Sequence, residues 1–401
     1  MRILHVSSEY PPLKIFGLGR YVSDLSCELA SQGHQVHVLT NSLGGSDQHV
    51  FEKGVQVHRI DFPPPPMPPT PGAPALAFNV HLQQLAHSLG PAGLGHPEVV
   101  VSHDWLTAIA GHRIAGRLDI PHLWTVHDLV HGKRFGVIQD VEDRVAHCIE
   151  RWATQVADLI VVNSIAIGEE IALVHGADRR RVELLHPGIA LAQSDVHQSE
   201  ARLKAFKSCL APAEEFLITF AGRLDLEKGV DTLINAFSIL RTQIPRVRLA
   251  IAGRGVLQPA IEEHIKKLKL DEFVTLCGYL EGQVLRSFYR ASDLHVCPSH
   301  YEPFGLVALE AMAAGAPVIV SDTGGLKDIV STPKIGRRVQ TRDPHAFAHA
   351  MYELLSNPSL RAGIARAGRA HARTHFSWNR LARRAIEVFD RALGSKRAMA
   401  V

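Results

Sequence analysis

Two cations five residues apart, Arg223 and Lys228, stand on the segment Gly222-Arg223-Leu224-Asp225-Leu226-Glu227-Lys228-Gly229, between an apolar run and a helical one. Fixed positive charges on a glycine-flanked loop suit a diphosphate, whose negative charge grows as it departs in a transfer reaction. A second segment runs His300-Tyr301-Glu302-Pro303-Phe304-Gly305-Leu306-Val307-Ala308-Leu309-Glu310. The turn Pro298-Ser299 leads from a strand toward a helix opening near Gly305. Phe304, Gly305 and Leu306 are therefore expected to present amide N–H groups at a helix N-terminus, where anions or sugar hydroxyls bind. Glu302 precedes those amides, and Glu310 lies about a turn and a half into the helix with its Cβ tilted toward the same end, so both carboxylates can face one cleft. Glu310 also stands in the apolar stretch 306–320, where an unpaired carboxylate is costly, and this favours a functional reading over a surface charge.

Three further segments lie in the first half. Glu9-Tyr10-Pro11-Pro12 and Phe16-Gly17-Leu18-Gly19-Arg20 follow the first strand, and Gly17 and Gly19 let backbone amides approach a phosphate closely. The spacing is G-x-G without a third glycine, which favours a ligand other than a nicotinamide dinucleotide. His103-Asp104-Trp105 and Thr125-Val126-His127-Asp128 each stand just past the carboxyl end of a strand, where open α/β sheets bind ligands. A lone histidine at such a place is more often structural; its convergence with the other segments raises the functional reading.

The elements that must position these groups follow from hydrophobic period. Short β-branched runs are expected as strands at 3–7, 35–39, 55–60, 99–102, 122–126, 159–162 and 182–185, then 216–220, 247–252, 274–276, 294–297 and 318–320. Helices are expected between them at 19–31, 76–89, 140–156, 165–174, 231–241, 258–268 and 305–314. This alternation predicts two doubly wound parallel sheets, and 401 residues exceed one ordinary core. The stretch 188–212, polar at Gln193-Ser194-Asp195 and helical at 200–208, reads as the linker, and 378–393 as an Arg- and Ala-rich helix. The proline run at 63–69 cannot enter a sheet interior and reads as an exposed stiff connector.

Composition excludes several classes. With 43 basic against 40 acidic residues and 46% hydrophobic content, the chain is an ordinary globular protein with no global field for nucleic acid or anionic lipid. The pairs and triplets Arg179-Arg180-Arg181, Arg337-Arg338 and Arg383-Arg384 read as solvated faces. Five cysteines without a C-x-x-C fit buried thiols in a reducing compartment, and with no signal-peptide core or membrane-length apolar window the expected address is the cytoplasm. Three H-x-x-x-H pairs, His127/His131, His345/His349 and His371/His375, could chelate on helices, but none has a carboxylate at ligand spacing and a glutamate between the pair. No Asp-x-Asp tripeptide occurs, so metal-free stabilisation of the leaving group is expected, with no cofactor.

Taken together and in this order, the segments resemble glycosyltransferase family 4, especially its branch related to bacterial glycogen and starch synthases. The resemblance spans Ile3 to about Phe389. It rests most on the Gly222-Arg223 to Lys228-Gly229 segment and on the Glu302-Pro303-Phe304-Gly305 segment with Glu310. It implies a GT-B fold: two Rossmann-like doubly wound parallel-sheet domains facing a cleft, with a C-terminal helix crossing back to the first. The domains implied are 1–195 for the acceptor, 196–375 for the nucleotide sugar and 376–401 for the crossover helix. By position, Arg223 and Lys228 would hold the diphosphate, with Gly17 and Gly19 closing over it, and Glu310 would accept the ribose hydroxyls. Glu302 and the amides of Phe304, Gly305 and Leu306 would hold the donor sugar. His127 would sit near the reacting carbon, and Asp104 with His103 near the acceptor. The chain departs from the family at His186-Pro187-Gly188, where P-N-G is usual, at Phe16 in the glycine loop, and at Lys133, where the synthase-like branch often has arginine.

The activity implied is a retaining hexosyltransferase carrying glucose from UDP- or ADP-glucose to a glycan. The rivals are mannosyl or other hexosyl transfer to a lipid-linked or small-molecule acceptor, and a catalytically silent sugar- or nucleotide-binding protein. Retention of Arg223, Lys228, Glu302 and Glu310 together argues against silence.

Overall fold

The computed structural model describes residues 1–13, 17–42, 47–62, 72–189 and 199–399. Phe16, the proline run at 63–69 and the polar stretch 193–195 lie outside the described residues. The chain divides into two compact units, Met1–Gly188 with Trp378–Val401, and Ile189–Ser377.

The first unit carries β1 (Arg2–Val6), β2 (Gln35–Asn41), β3 (Gln48–Glu52), β4 (Val55–Ile60), β5 (Val99–His103), β6 (His122–Val126), β7 (Leu159–Val162) and β8 (Val182–Leu184). Their order in the sheet is β3-β4-β2-β1-β5-β6-β7-β8, parallel except for the antiparallel pair β3–β4. The chain starts at β1, winds outward on one side, and returns to β5 on the other. β1 and β5 therefore flank the point where the winding reverses.

Alternation along the strands sorts this core into two layers. Ile3, Val36, Val38, Val55, Val57, Val99 and Val101 pack on one face with Leu25 and Leu29 of helix Gly17–Ser31. The same layer takes Trp378, Leu381, Ala385, Val388 and Phe389 of helix Trp378–Met399, whose spacing of three, four, three and one residues keeps them on one helical stripe. Leu4, Val6, Leu39 and Val100 face the other way, onto Phe78, Leu82 and Ile114 of helices Ala73–Gly93 and Trp105–Leu118. Arg384 and Arg391 also pin the helix from Trp378 to the buried Glu183 of β8. Arg384 thus holds a partner of its own unit.

The second unit carries β9 (Phe216–Ala221), β10 (Val247–Ala252), β11 (Val274–Gly278), β12 (Leu294–Cys297), β13 (Val318–Ser321) and β14 (Arg337–Val339). The order is β11-β10-β9-β12-β13-β14, every pair parallel, and the winding reverses between β9 and β12. Ile218 and Phe220 of β9 point into one layer with Leu233 and Phe237 of helix Val230–Arg241. Leu217 and Ala221 point into the other with Ala308 and Met312 of helix Leu306–Ala314.

Two strands were not expected. β3 reads QHVFE and is exposed almost throughout, and β14 reads RRV; both are edge strands that owe their form to pairing with a neighbour rather than to an apolar pattern. No helix among the described residues is long and apolar enough to cross a membrane, and the five cysteines are free.

Candidate active site

In the second unit the loops after β9, β12 and β13 interlock at the carboxyl end of the sheet. His300 N–H and Tyr301 N–H donate to the Glu227 carbonyl at 2.7 and 3.3 Å, and Gly325 N–H donates to the Glu302 carbonyl at 3.0 Å. Two glycines make that approach feasible. A Cβ on Gly229, which has φ +63°, would lie 2.1 Å from the Pro298 carbonyl oxygen, and one on Gly324, with φ +50°, would lie 1.8 Å from the Glu302 carbonyl.

The interlock brings Lys228 to Glu302. Lys228 Nζ lies 2.9 Å from Glu302 Oε2, with about a sixth of each side chain exposed, and Ser299 Oγ donates to the same oxygen at 3.1 Å. The pair spans β9 and β12, the strands on either side of the winding reversal, which is where open α/β sheets hold ligands. Arg223 pairs with Asp225 at 2.8 Å and with Glu227, so both cations are held by carboxylates of their own unit. Burial, with the Glu302 charge adding to it, pushes the Cys297 thiol up at the end of β12, which keeps it neutral beneath this pair.

Helix Leu306–Ala314 starts one residue later than expected. Its cap is Gly305, with φ +108° and no capping side chain, so Leu306, Val307 and Ala308 are the helical residues whose amides precede the first intrahelical bonds. Val307 and Ala308 join the expected amides, whereas Phe304 is buried at 3% exposure with its ring 6.0 Å from that of Phe376. Glu310 is half-buried, and Tyr289 OH donates to its Oε2 at 3.0 Å. The cost of a lone carboxylate in this apolar stretch is met by a buried tyrosine on helix Gly282–Ala291, which orients it.

In the first unit Gly19 N–H donates to Glu9 Oε2 at 3.3 Å. Glu9 is itself 7% exposed, and a Cβ on Gly19 would lie 3.0 Å from its Cβ. The glycine thus admits a carboxylate close to the first turn of helix Gly17–Ser31, favourable at a helix N-terminus. Gly17 opens that helix.

His103 and His127 meet through a run of three imidazoles. His5 Nδ1 of β1 lies 3.0 Å from His103 Nε2, and His103 Nδ1 lies 3.1 Å from His127 Nε2. The run crosses β1, β5 and the end of β6, with Tyr21 edge-on to His103 and His127 at centroid distances of 5.9 and 4.7 Å. Burial lowers His127 to about 4 and His5 to about 3, and with its histidine neighbours takes His103 well below its usual value, so all three are neutral. His103 is fully buried and both its ring nitrogens face other histidines. That makes it a support for His127. Sequence reasoning missed His5, which looked like one more residue of a buried strand.

Asp104 adopts φ +57°, ψ −178°, a backbone region that costs a non-glycine residue about 1–3 kcal/mol. Three bonds hold it: its N–H donates to Thr125 O at 2.8 Å, its carbonyl accepts from Trp124 Nε1 at 3.1 Å, and its Oδ1 accepts from His127 N–H at 2.7 Å. Burial, reinforced by the nearby Asp128 carboxylate, raises the Asp104 carboxyl well above the usual range. Lys133, one of the chain's departures from the synthase-like pattern, pairs with Asp128 at 2.8 Å. A strained, partly exposed acid bonded to the backbone of His127 marks the β5 and β6 ends as a second chemical centre, beside β1 and the other winding reversal.

Both halves of the chain match known glycosyltransferase families. The model described as Glycosyltransferase Family 4 matches residues 15–193, and that described as Glycosyl transferases group 1 matches residues 202–371. The chain is similar to glycogen synthase of Mycobacterium tuberculosis, at 33% identity over 97% of this chain and 94% of that protein. It is similar to D-inositol 3-phosphate glycosyltransferase of Nocardioides sp., at 29% identity over 94% of this chain and 85% of that protein. Among solved structures, sucrose-phosphate synthase from Thermosynechococcus elongatus superposes with a TM-score of 0.82 at 25% identity, over 98% of this chain and 100% of that one.

Proposed function

The chain belongs to glycosyltransferase family 4, of the GT-B fold and the glycogen and starch synthase type, and on that premise we propose that it moves glucose from UDP- or ADP-glucose to a glycan with retention of configuration. The observation that carries the reading is the Lys228–Glu302 pair across the β9/β12 reversal, in a chain one-third identical to a glycogen synthase over nearly its whole length.

In this reading the pair is the resting arrangement. A donor would draw Lys228 Nζ and the Arg223 guanidinium to the diphosphate and leave the Glu302 carboxylate to accept from sugar hydroxyls. The amides at the start of helix Leu306–Ala314 donate to the sugar or phosphate, and Glu310, held by Tyr289, accepts from the ribose. His127 donates to the sugar near the reacting carbon, and Asp104 faces the acceptor. Cleavage of the anomeric bond builds negative charge on the leaving diphosphate, and each preplaced donor is worth about 3 kcal/mol to that transition state. Acceptor attack on the same face, through an oxocarbenium-like state, gives retention. Arg223 and Lys228 supply the charge at the diphosphate, and no metal is required there. The protein acts in the cytoplasm.

A second reading, transfer of a hexose to a small phosphorylated polyol, is favoured by the similarity to D-inositol 3-phosphate glycosyltransferase. The experiment is incubation of the purified chain with UDP-glucose, ADP-glucose or GDP-mannose and either an α-glucan or an inositol phosphate, with the product anomer read by NMR. Axial linkage on the glucan supports the proposal, transfer confined to the inositol phosphate selects the second reading, and an equatorial product overturns retention.

A further inference from the structure

His147 and Glu150 stand three residues apart on helix Val141–Val156, a spacing that puts both on one face. His175 is the last residue of helix Ile165–His175, which Gly176 closes in a left-handed conformation. One ligand atom from each of the three lies within 4.8 Å of the others, and Glu150 Oε2 is 3.2 Å from His175 Nε2. Zinc bonds of about 2.0–2.2 Å place tetrahedral ligands about 3.3–3.6 Å apart, so the Glu150–His175 edge is already close to the distance a metal demands.

Three observations make this more than a chance meeting of side chains. Glu150 is 1% exposed and His175 7%, and a buried carboxylate is costly unless a cation or a full set of hydrogen bonds meets it. The other Glu150 oxygen accepts from Val130 N–H at 3.0 Å, an outer hold that aims Oε2 as second-layer bonds aim metal ligands. The Nδ1 atom of His147 has no hydrogen-bond partner among the described residues, and its ring lies 4.6 Å from that of His175. His147 is half-buried, so its ring can turn to close the remaining distance.

We propose that His147, Glu150 and His175 form a zinc site, two imidazoles and a carboxylate with water in the fourth position, that ties these two helices to the backbone at Val130. Borderline-soft zinc suits this mixed nitrogen and oxygen set. The role is structural: the bound ion fixes the turn that follows His127 and takes no part in the transfer chemistry.

The test uses the full chain stripped with a chelator and titrated with Zn²⁺ by calorimetry, with Co²⁺ absorption as a check on geometry. One ion per chain is expected, with a rise in Tm on binding. His147→Ala and His175→Asn should each weaken affinity at least tenfold, whereas His371→Ala, which breaks the stacked helical pair His371/His375, should leave this binding unchanged. His147→Ala alters the half-buried member, so it tests the site even where His175→Asn fails to fold. Absence of saturable binding at micromolar zinc, or binding indifferent to His147→Ala, overturns the proposal. None of these readings needs turnover, so the outcome is independent of the proposed transferase activity.

Discussion

The 3.1 Å contact between His103 Nδ1 and His127 Nε2 determines which nitrogen of His127 carries its proton. His5 Nε2, at the far end of the run, is buried without a partner, and an orphaned acceptor there is tolerated better than an orphaned N–H. The protons therefore order in one direction: His5 Nδ1–H donates to His103 Nε2, and His103 Nδ1–H donates to His127 Nε2. His127 is left as the neutral Nδ1–H form, a donor. His103→Phe should lower kcat with little change in KM, because the ring of His127 persists while its tautomer is no longer set. Nitrogen-15 shifts of His127 should show one tautomer in the parent protein and a mixture in the variant. A single unchanged tautomer would sink the idea.

Acid should weaken the fold through the same groups. His127 titrates at about 4, and His5, His122 and His295 at about 3, all lowered by burial from the ordinary 6.5. Between those values the unfolded chain binds protons that the folded chain refuses, so their stabilisation is complete above pH 6.5 and drains away as pH falls toward 4. Tm measured at pH 7 and at pH 4.5 should differ less in His127→Asn than in the parent. An equal difference in the two proteins would contradict the assignment.

Lys228→Ala should reduce kcat by about two to three orders of magnitude, the loss typical of one preplaced donor to a developing anion. Tm should fall, because the substitution leaves the largely buried Glu302 carboxylate without its cation and with Ser299 still donating to it. Near-parental turnover would remove the proposed mechanism. The same assay tests metal independence when run on His147→Ala with EDTA present: turnover should persist, and its loss with rescue by one particular ion would reverse that reading.

Phe389→Ala should destabilise the first unit by about 3–5 kcal/mol, the usual cost of emptying a packed phenylalanine site. The ring is 1% exposed and sits among Trp378, Leu381 and the β-sheet valines. Denaturant unfolding should show the loss in one transition while the transition of residues 189–377 keeps its midpoint. A shift confined to the second unit would show that the packing layer has been misassigned.

Most of the framework was legible because buried parallel strands are rich in apolar residues, and β5, β7, β9 and β13 read as such directly. β3 and β14 were not, since QHVFE and RRV acquire their shape from a neighbour's hydrogen bonds. At the site, residue type and spacing pointed to Lys228 and Glu302, and the structure adds that they touch. Partners supplied by distant segments were invisible: Tyr289 on Glu310, His5 behind His103, and Glu9 beneath Gly19. Each pairing joins residues 10 to 98 positions apart, and no local periodicity reports on such a meeting.

The helix Trp378–Met399 supplies part of the core of the unit that begins at Met1, while everything from Ile189 to Ser377 forms a unit of its own. Synthesis therefore delivers the two in inverted order. The later-encoded unit has all its strands and can fold as it leaves the ribosome, whereas the earlier one must wait with part of its valine-rich sheet face uncovered until Phe389 emerges. That interval is when the nascent chain is most exposed to aggregation and most in need of a chaperone.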